Sequence, residues 1–296
     1  MIKGFFAGCE PTVATPQGEV VFKGQIVASI APLYITPNAQ SMQISQLVFG
    51  EHYREFSSDI ELTDGWHLVQ SLRDDYTGYV YSPETVEVQF IGNAKVSKLS
   101  TALYSAPSMK SKLMRILPFG AELNIERVSV SDPLSHHEFF YVHYLEAWVY
   151  KDHVQFNDQY FEDPIELARQ FIGQTYLWGG RSGWGCDCSA LVQLCYELAG
   201  CRLPRDANLQ QKYLPAFEPE SILRDQISAN DLLYWPGHVA IASSSSDLIH
   251  ATRVGMHVVE EPIDTVCQRI FDETRADLSI IHRPILAASS QAVSRH

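Results

Sequence analysis

The sequence is short of positive charge, of cysteine and of long apolar stretches. Its 296 residues include 22 lysines and arginines against 35 aspartates and glutamates, for a net charge of −13. Nucleic acids and anionic membranes bind clustered Lys and Arg, so neither is expected as a partner. Six cysteines are too few for a disulfide scaffold. No run of about 18 apolar residues is present, so no transmembrane helix is expected.

The amino terminus also lacks an export signal of the usual form. The first residues read MIKGFFAGCEPTV, and their apolar patch, Phe5 to Ala7, is shorter than the roughly 7–15 residues of a signal-peptide core. We therefore expect a cytoplasmic protein, unless a signal has been removed from the sequence. The sequence leaves the oligomeric state open.

The first half of the chain contains an internal repeat. LYITP at 33–37 reappears as LYSAP at 103–107, and Phe49-Gly50 reappears as Phe119-Gly120 at the same offset. Each copy has short runs of β-branched and aromatic residues broken by Pro, Gly, Asn and Asp, which predicts a small all-β barrel or sandwich. The pattern resembles a bacterial SH3-like barrel, with an unrelated β module as the alternative.

The pattern changes to an α+β type after about residue 160. Asp163 can cap a helix that has Pro164 in its first position and ends at Gly173. A second helix and then three strands are predicted further on, at 189–198, 231–235, 238–242 and 247–251. Helices followed by strands are typical of an α+β domain.

A glycine-rich loop leads directly to a cysteine. Residues 179–185 contain four glycines and precede Cys188 at the predicted start of the second helix. The partial positive charge of a helix N-terminus predicts a lowered pKa for this thiol and hence a nucleophile. The free N–H groups of the same turn can hold an oxyanion.

Two histidines are candidates for the base that such a nucleophile needs. Four serines at 243–246 predict a hairpin turn between the strands that carry His238 and His250. A turn centred near residue 244 would place the two histidines directly opposite each other. One imidazole could then face the thiol while the other fixes its orientation.

Together these motifs resemble the NlpC/P60 family of cell-wall cysteine peptidases. The shared segments, in the family's order, are YLWGG at 176–180, DCSALVQ at 187–193, LPRD at 203–206, GHVAI at 237–241 and IHA at 249–251. The resemblance implies an α+β, papain-like catalytic domain preceded by two small all-β SH3-like barrels. It implies Cys188 as nucleophile, His238 as base, His250 as third polar member and Tyr176 beside the thiol at the oxyanion site.

The resemblance also implies a substrate. Such proteins cleave the bond between γ-D-glutamate and a diamino acid in peptidoglycan stem peptides, such as L-Ala-γ-D-Glu-diaminopimelate, and prefer a free N-terminal L-alanine. Asp187 is predicted to bind the free ammonium group, and Tyr76 of the first β module is predicted to close the substrate end. Further candidate substrate contacts are Trp178, Ser189, Arg205 and Asp206. No cofactor or metal is required, and recycling of wall fragments is the expected role.

Five segments are predicted. They are an amino-terminal segment at 1–25, a first SH3-like domain at 26–92 that recognises the substrate end, a second at 93–158 that acts as scaffold, a peptidase domain at 159–286 and a tail at 287–296.

Several alternatives stay open. The β modules could do the work as a wall-binding protein with a vestigial peptidase domain, or the thiol could serve an amidase or acyltransferase. Cys188 could be a buried structural thiol, or Cys186, Cys188, His238 and His250 could bind zinc. Ala207, where related sequences often have serine, and Cys186, where a large or apolar residue is expected, depart from the family pattern.

Overall fold

A computed structural model describes residues 19–57, 62, 65–81, 85–213 and 222–286. Residues 1–18 of the predicted amino-terminal segment and the predicted tail at 287–296 lie outside these ranges. The described part forms two β domains followed by an α+β domain. None of its helices is both long enough and apolar enough to span a bilayer.

The first β domain is one antiparallel sheet with the strand order β3-β2-β6-β5-β4-β1-β7. The strands are β1 (Val20–Ile26), β2 (Ile30–Tyr34), β3 (Gln43–Val48), β4 (His52–Phe56), β5 (Trp66–Ser71), β6 (Thr77–Tyr81) and β7 (Thr85–Glu87). The predicted boundary at residue 26 is wrong, because β1 pairs with both β4 and β7. Residues 20–25 therefore belong to this domain.

The second β domain contains a five-stranded sheet, β10-β9-β14-β13-β12, and a three-stranded sheet, β11-β8-β15. The strands are β8 (Ala94–Val96), β9 (Ser100–Tyr104), β10 (Leu113–Pro118), β11 (Glu122–Leu123), β12 (Val130–Ser131), β13 (Glu138–Val142), β14 (Ala147–Tyr150) and β15 (Val154–Phe156). A 3-10 turn at Lys151–His153 joins the last two.

The sequence repeat corresponds to a repeat of structure. Strands β2 and β9 begin 70 residues apart, and so do β3 and β10. The turn between each pair is closed in the same way, by a serine hydroxyl, Ser41 or Ser111, that accepts a backbone N–H five residues earlier. Gly50 and Gly120 both have a positive φ, 86° and 84°. The offset read from the sequence is therefore an offset of equivalent strands and turns.

The α+β domain places a five-stranded antiparallel sheet, β21-β20-β19-β18-β22, against helix α2. Its helices are α1 (Pro164–Gln170), α2 (Cys188–Leu198), α3 (Ala207–Tyr213) and α4 (Ile263–Thr274), with a 3-10 turn at Arg224–Gln226. Its strands are β16 (Arg181–Ser182), β17 (Gly185–Cys186), β18 (Leu232–Trp235), β19 (His238–Ala242), β20 (Asp247–Thr252), β21 (His257–Pro262) and β22 (Ile280–His282).

Apolar contacts join the second β domain to the α+β domain. Phe119, which follows β10, is fully buried in the core built around α2. Its ring lies 5.1 Å from that of Phe171 at the end of α1. Leu99 packs against the same core. These contacts attach the second β domain to the core around α2, and its scaffold role stays a prediction.

Buried ion pairs join all three domains. Glu51 pairs with Arg73 and Arg181, and Glu197 of α2 pairs with Arg73 and Lys95. Burial alone would raise the pKa of Glu51, but the two guanidinium groups outweigh it and hold that pKa below its usual value. The cavity of about 390 Å³ at this junction is lined by four of these charged residues, Glu51, Arg73, Lys95 and Glu197, and by none of the predicted catalytic residues.

Replacing Glu51 by glutamine should lower the free energy of unfolding by about 3–5 kcal/mol, since it leaves buried guanidinium groups short of a counter-charge. Chemical denaturation followed by circular dichroism measures this. Glu87→Gln, at an exposed position of β7, is the control and should stay within about 0.5 kcal/mol of wild type. Equal stability of the Glu51 variant and wild type would contradict a structural role for these pairs.

Candidate active site

The glycine loop is shaped by contacts with both β domains. Gly179 has φ +68°, and a Cβ added to it would lie 2.8 Å from the carbonyl oxygen of Gln43 in β3. A Cβ on Gly183 would lie 1.9 Å from the carbonyl oxygen of Leu99. Side chains at these two positions would therefore push the β domains away from the loop that leads to Cys188.

Cys188 is the first residue of α2, with Asp187 as its N-cap. Cys188 is 7 % exposed, and the backbone N–H groups of Ser189 and Val239 favour the charged form of its thiol. One of these N–H groups belongs to the helix and the other to β19, directly after His238. Such donors can also stabilise an oxyanion that forms beside the sulfur.

The predicted lowering of the thiol pKa is wrong for this resting site. Burial is the largest cause and the charge of Asp187 the second, and they raise the pKa of Cys188 to about 12. Burial, followed by the charges of His250 and Arg253, lowers the pKa of His238 to about 3. The helix terminus and the backbone donors do not outweigh desolvation. At neutral pH the resting pair is therefore a thiol and a neutral imidazole.

The two histidines are hydrogen-bonded, but they are not directly opposite each other. Ile241 pairs with Ile249 and Ala242 with Leu248, so the hairpin is centred one residue later than predicted. His238 is consequently the diagonal neighbour of His250 on one face of the sheet. Its Nε2 lies 2.8 Å from Nδ1 of His250. The expected juxtaposition is present, with a register that differs from the expected one.

Glu261 of β21 adds a third member to the hydrogen bond between His238 and His250, and sequence reasoning did not find it. Its Oε1 accepts a hydrogen bond from Nε2 of His250 at 2.8 Å. Arg269 of α4 donates to both carboxylate oxygens, at 2.7 and 2.6 Å. The hydrogen bond from Arg269, with that of His250 and both charges, lowers the pKa of Glu261 to about 2 despite partial burial. The carboxylate is therefore ionised throughout the neutral range.

An ionised Glu261 determines which nitrogens carry protons. A carboxylate can only accept, so Nε2 of His250 must be the donor and its Nδ1 must be an acceptor. That acceptor in turn requires a proton on Nε2 of His238. The nitrogen of His238 that keeps its lone pair is then Nδ1, which is the one available to take the thiol proton.

Two cavities meet at Tyr176, Trp178 and Gly237. One, of about 250 Å³, contains Cys188, Tyr76 and Asp206, and we call it the thiol cavity. The other, of about 300 Å³, contains His238 and His250, and we call it the histidine cavity. A substrate that crosses both would pass the nucleophile and the base in turn.

Asp187 does not present a free carboxylate to this cavity. Its oxygens accept from the backbone N–H of Ala190 and of Gly179, each at 3.0 Å. They also accept from both terminal nitrogens of Arg205, at 2.9 and 2.6 Å. Arg205 is 1 % exposed. Asp187 and Arg205 are thus partners in a buried ion pair that fixes the helix start, and Asp187 also lines the thiol cavity. Their predicted roles as substrate contacts stay predictions.

Asp206 is a second carboxylate that lines the thiol cavity. The hydroxyl of Tyr76 donates to its two oxygens at 3.0 and 3.2 Å, although the residues are 130 positions apart. The structure thus places Tyr76 of the first β domain in the lining of the thiol cavity, and its closing of the substrate end stays a prediction. It places a carboxylate beside it that belongs to a residue also predicted as a substrate contact.

The other predicted residues lie around the same space. Tyr176 and Trp178 line both cavities. Burial and the neighbouring Cys188 and Asp187 raise the pKa of Tyr176, so its hydroxyl stays protonated and can donate. Ser189 lines the thiol cavity, but its hydroxyl already bonds Asp187 and Arg205.

Within the described ranges no group of three or more His, Cys, Asp or Glu side chains is arranged to hold a metal, so the zinc alternative has no support.

Comparison with known families agrees with this geometry. The model of the NlpC/P60 family matches residues 173–273, and the model of the bacterial dipeptidyl-peptidase Sh3 domain matches residues 33–82. The chain contains an NlpC/P60 domain and a bacterial SH3 domain. The matches support a peptidase with a peptidoglycan-related function. They show one SH3 domain rather than the predicted two, because the matched residues lie in the first β domain.

Similar proteins include dipeptidyl-peptidase 6 of Lysinibacillus sphaericus, 23% identical over 81% of this chain and 91% of the relative. A γ-D-glutamyl-L-lysine dipeptidyl-peptidase of Bacillus cereus is 26% identical over 57% of this chain and 53% of the relative. A protein of the same name from Bacillus subtilis is 29% identical over 38% of each chain. The match thus spans about half or less of the last two relatives.

Solved structures show the same fold. An NlpC/P60 family protein from Bacillus cereus superposes with a TM-score of 0.69 and 18% identity, over 88% of this chain and 99% of that one. An NlpC/P60 endopeptidase from Photobacterium damselae gives a TM-score of 0.54 at 14% identity, over 90% of this chain and 72% of that one.

Proposed function

We propose that this protein is a cysteine endopeptidase that hydrolyses the bond between γ-D-glutamate and a diamino acid in peptidoglycan stem peptides with a free N-terminal L-alanine. The names of the similar dipeptidyl-peptidases support this bond. A role in recycling wall fragments and a cytoplasmic location stay predictions from the sequence.

The observation that carries the proposal is the hydrogen-bonded Tyr76–Asp206 pair, which lines the thiol cavity together with Cys188. A pair of this kind, with one partner from the first β domain, can limit how far a substrate chain extends beyond the scissile bond. It also offers a carboxylate to the group that terminates the chain. A free ammonium is the complement of that carboxylate, and a charge-assisted hydrogen bond between them is about twice as strong as a neutral one.

The reaction follows from the proton positions. The sulfur of Cys188 attacks the γ-carbonyl carbon of glutamate while its proton passes to Nδ1 of His238. Collapse of the tetrahedral intermediate breaks the C–N bond, and the imidazolium gives that proton to the leaving amine. A water molecule, activated by the neutral His238, then hydrolyses the thioester and restores the thiol.

Acetylating the amino group of L-Ala-γ-D-Glu-diaminopimelate should lower kcat/KM by about 10²-fold, since Asp206 would lose a charged partner inside a closed site. Product formation measured by mass spectrometry gives the rates. Asp206→Asn should shrink the difference between the free and acetylated substrates to a few-fold. Asp225→Asn, at an exposed position of the 3-10 turn, is the control and should keep the wild-type difference between the two substrates. Equal rates with both substrates in the wild type would contradict amine recognition.

A further inference from the structure

The histidine cavity lies on the leaving-group side of the reaction. Tyr76 and Asp206 line the thiol cavity together with Cys188, and in the proposed function the acyl part of the substrate lies there. His238, which protonates the leaving amine, lines the histidine cavity. The amine and the side chain attached to it must therefore pass from the thiol into this second space.

Three charged side chains line the histidine cavity, and one of them is already bound to a partner outside the proposed contact. Arg269 holds both oxygens of Glu261. Arg253, just after β20, and Glu273, near the end of α4, instead pair with each other at 2.9 Å. Their side chains are 67% and 42% exposed. Surface pairs of this kind add little to the stability of a protein, so a ligand can take over both partners at small cost.

Arg253 is also close to the reacting groups. Its charge contributes to lowering the pKa of His238 after burial and His250, and it acts on Tyr176 as well. Arg253 follows His250 by three residues and lies in the loop directly after β20. Arg253 and His238 line the same cavity, so a group bound to Arg253 there shares that space with the base.

We propose that the histidine cavity binds the side chain of the leaving diamino acid. The Arg253–Glu273 pair selects a side chain that ends in both a carboxylate and an ammonium group, as diaminopimelate does. This inference rests on the proposed function. A guanidinium fork binds a carboxylate in two places, and the carboxylate of Glu273 complements the ammonium. Lysine offers the ammonium alone and leaves Arg253 without an anion.

Two substrates test this, L-Ala-γ-D-Glu-diaminopimelate and L-Ala-γ-D-Glu-L-lysine, each with the main-chain carboxyl of the third residue converted to an amide. The amide prevents that carboxyl from replacing the one on the side chain. Wild type should cleave the diaminopimelate peptide with a kcat/KM about 10-fold higher, the effect of one charge-assisted contact at a partly exposed site.

Arg253→Gln should reduce this ratio to about one. Any effect of Arg253 on His238 acts on both substrates and cancels in the ratio. Arg127→Gln is the matched control, because Arg127 forms an exposed pair with Asp158 in the second β domain, and it should keep the wild-type ratio. Glu273→Gln should lower both rates, because both side chains carry the ammonium.

The outcomes separate this inference from the function on which it rests. Cleavage of both peptides at equal rates by wild type, or an unchanged ratio in Arg253→Gln, would overturn the selection of a zwitterionic side chain and leave the peptidase intact. Failure of wild type to cleave either peptide would overturn both. Thermal unfolding of each variant confirms that a lost ratio does not come from a lost fold.

Discussion

Cys188→Ala should lower kcat/KM on the stem tripeptide by at least about 10⁴-fold, because loss of the nucleophile leaves only the binding and oxyanion contributions to catalysis. The change removes one atom from the start of α2, whose cap is supplied by Asp187. The helix and the Asp187–Arg205 pair therefore stay in place. Product formation from defined muropeptides, followed by mass spectrometry, measures the loss.

Cys267→Ala provides the matched control for this prediction. Cys267 is a partly buried free cysteine in α4 and has no part in the proposed reaction, so its replacement should leave kcat/KM within about twofold of wild type. Full cleavage by the Cys188 variant would contradict the thiol mechanism. It would favour the view that the β domains bind wall fragments while the third domain is vestigial.

The neutral resting pair changes how the site must work. Because burial keeps Cys188 protonated and His238 neutral, the enzyme does not store a thiolate before substrate arrives. Charge separates only as the proton moves to Nδ1 of His238 during attack. Groups that stabilise the resulting imidazolium then act on the barrier itself rather than on the resting state. The hydrogen bonds that His238 forms through His250 therefore help to stabilise the imidazolium, in addition to fixing the orientation of His238.

The local features of the site could be predicted from the sequence. A glycine loop, a capping aspartate and an apolar helix pattern place Cys188 at the start of α2. The fixed offset between repeats predicts equivalent strands, since a duplicated strand and turn keep their spacing. The approach of His238 to His250 follows from a short serine turn. The placement of Cys188 and the approach of the two histidines depend on neighbours within roughly a dozen residues, and the repeat is visible because its two copies share residues at one fixed offset.

Contacts between distant segments could not be predicted in the same way. The pairing of Arg205 with Asp187 depends on how the segment after α2 folds back, and no spacing rule fixes that. The error of one residue in the hairpin centre has a similar origin, because four consecutive serines can form more than one turn. Glu261 was missed because β21 was not recognised as the next strand, although it directly follows a Gly255-containing turn.

The hydrogen bonds that join His238, His250 and Glu261 cross three adjacent strands, and each of them links diagonal neighbours. Leu248 pairs with Glu261 across β20 and β21, so Glu261 is the diagonal neighbour of His250, just as His238 is on the other side. Diagonal neighbours lie about 7–8 Å apart between backbones, a span that imidazole and carboxylate side chains can bridge. The sheet thus aligns base, orienting histidine and carboxylate, while α4 adds Arg269 from outside.

Glu261→Ala should lower kcat by about 10²-fold, because His250 loses the acceptor that fixes its tautomer and His238 loses support for its imidazolium. Burial lowers the pKa of His250, and the hydrogen bond and charge of Glu261 offset part of that lowering, so removal of the carboxylate makes the pair harder to protonate. The acid limb of the kcat/KM profile should therefore move to lower pH. A purely structural role would lower activity without moving that limb.

Glu260→Gln is the matched control, since Glu260 adjoins Glu261 on β21 and forms a partly exposed pair with Arg169. It should leave both kcat and the pH profile close to wild type. Glu261→Gln should give a smaller loss than alanine, because an amide oxygen can still accept from Nε2 of His250 although it carries no charge. If alanine and glutamine at position 261 both retained wild-type kcat and profile, the proton positions derived for His238 and His250 would not depend on this carboxylate, and Nδ1 of His238 would lose its assignment as the base.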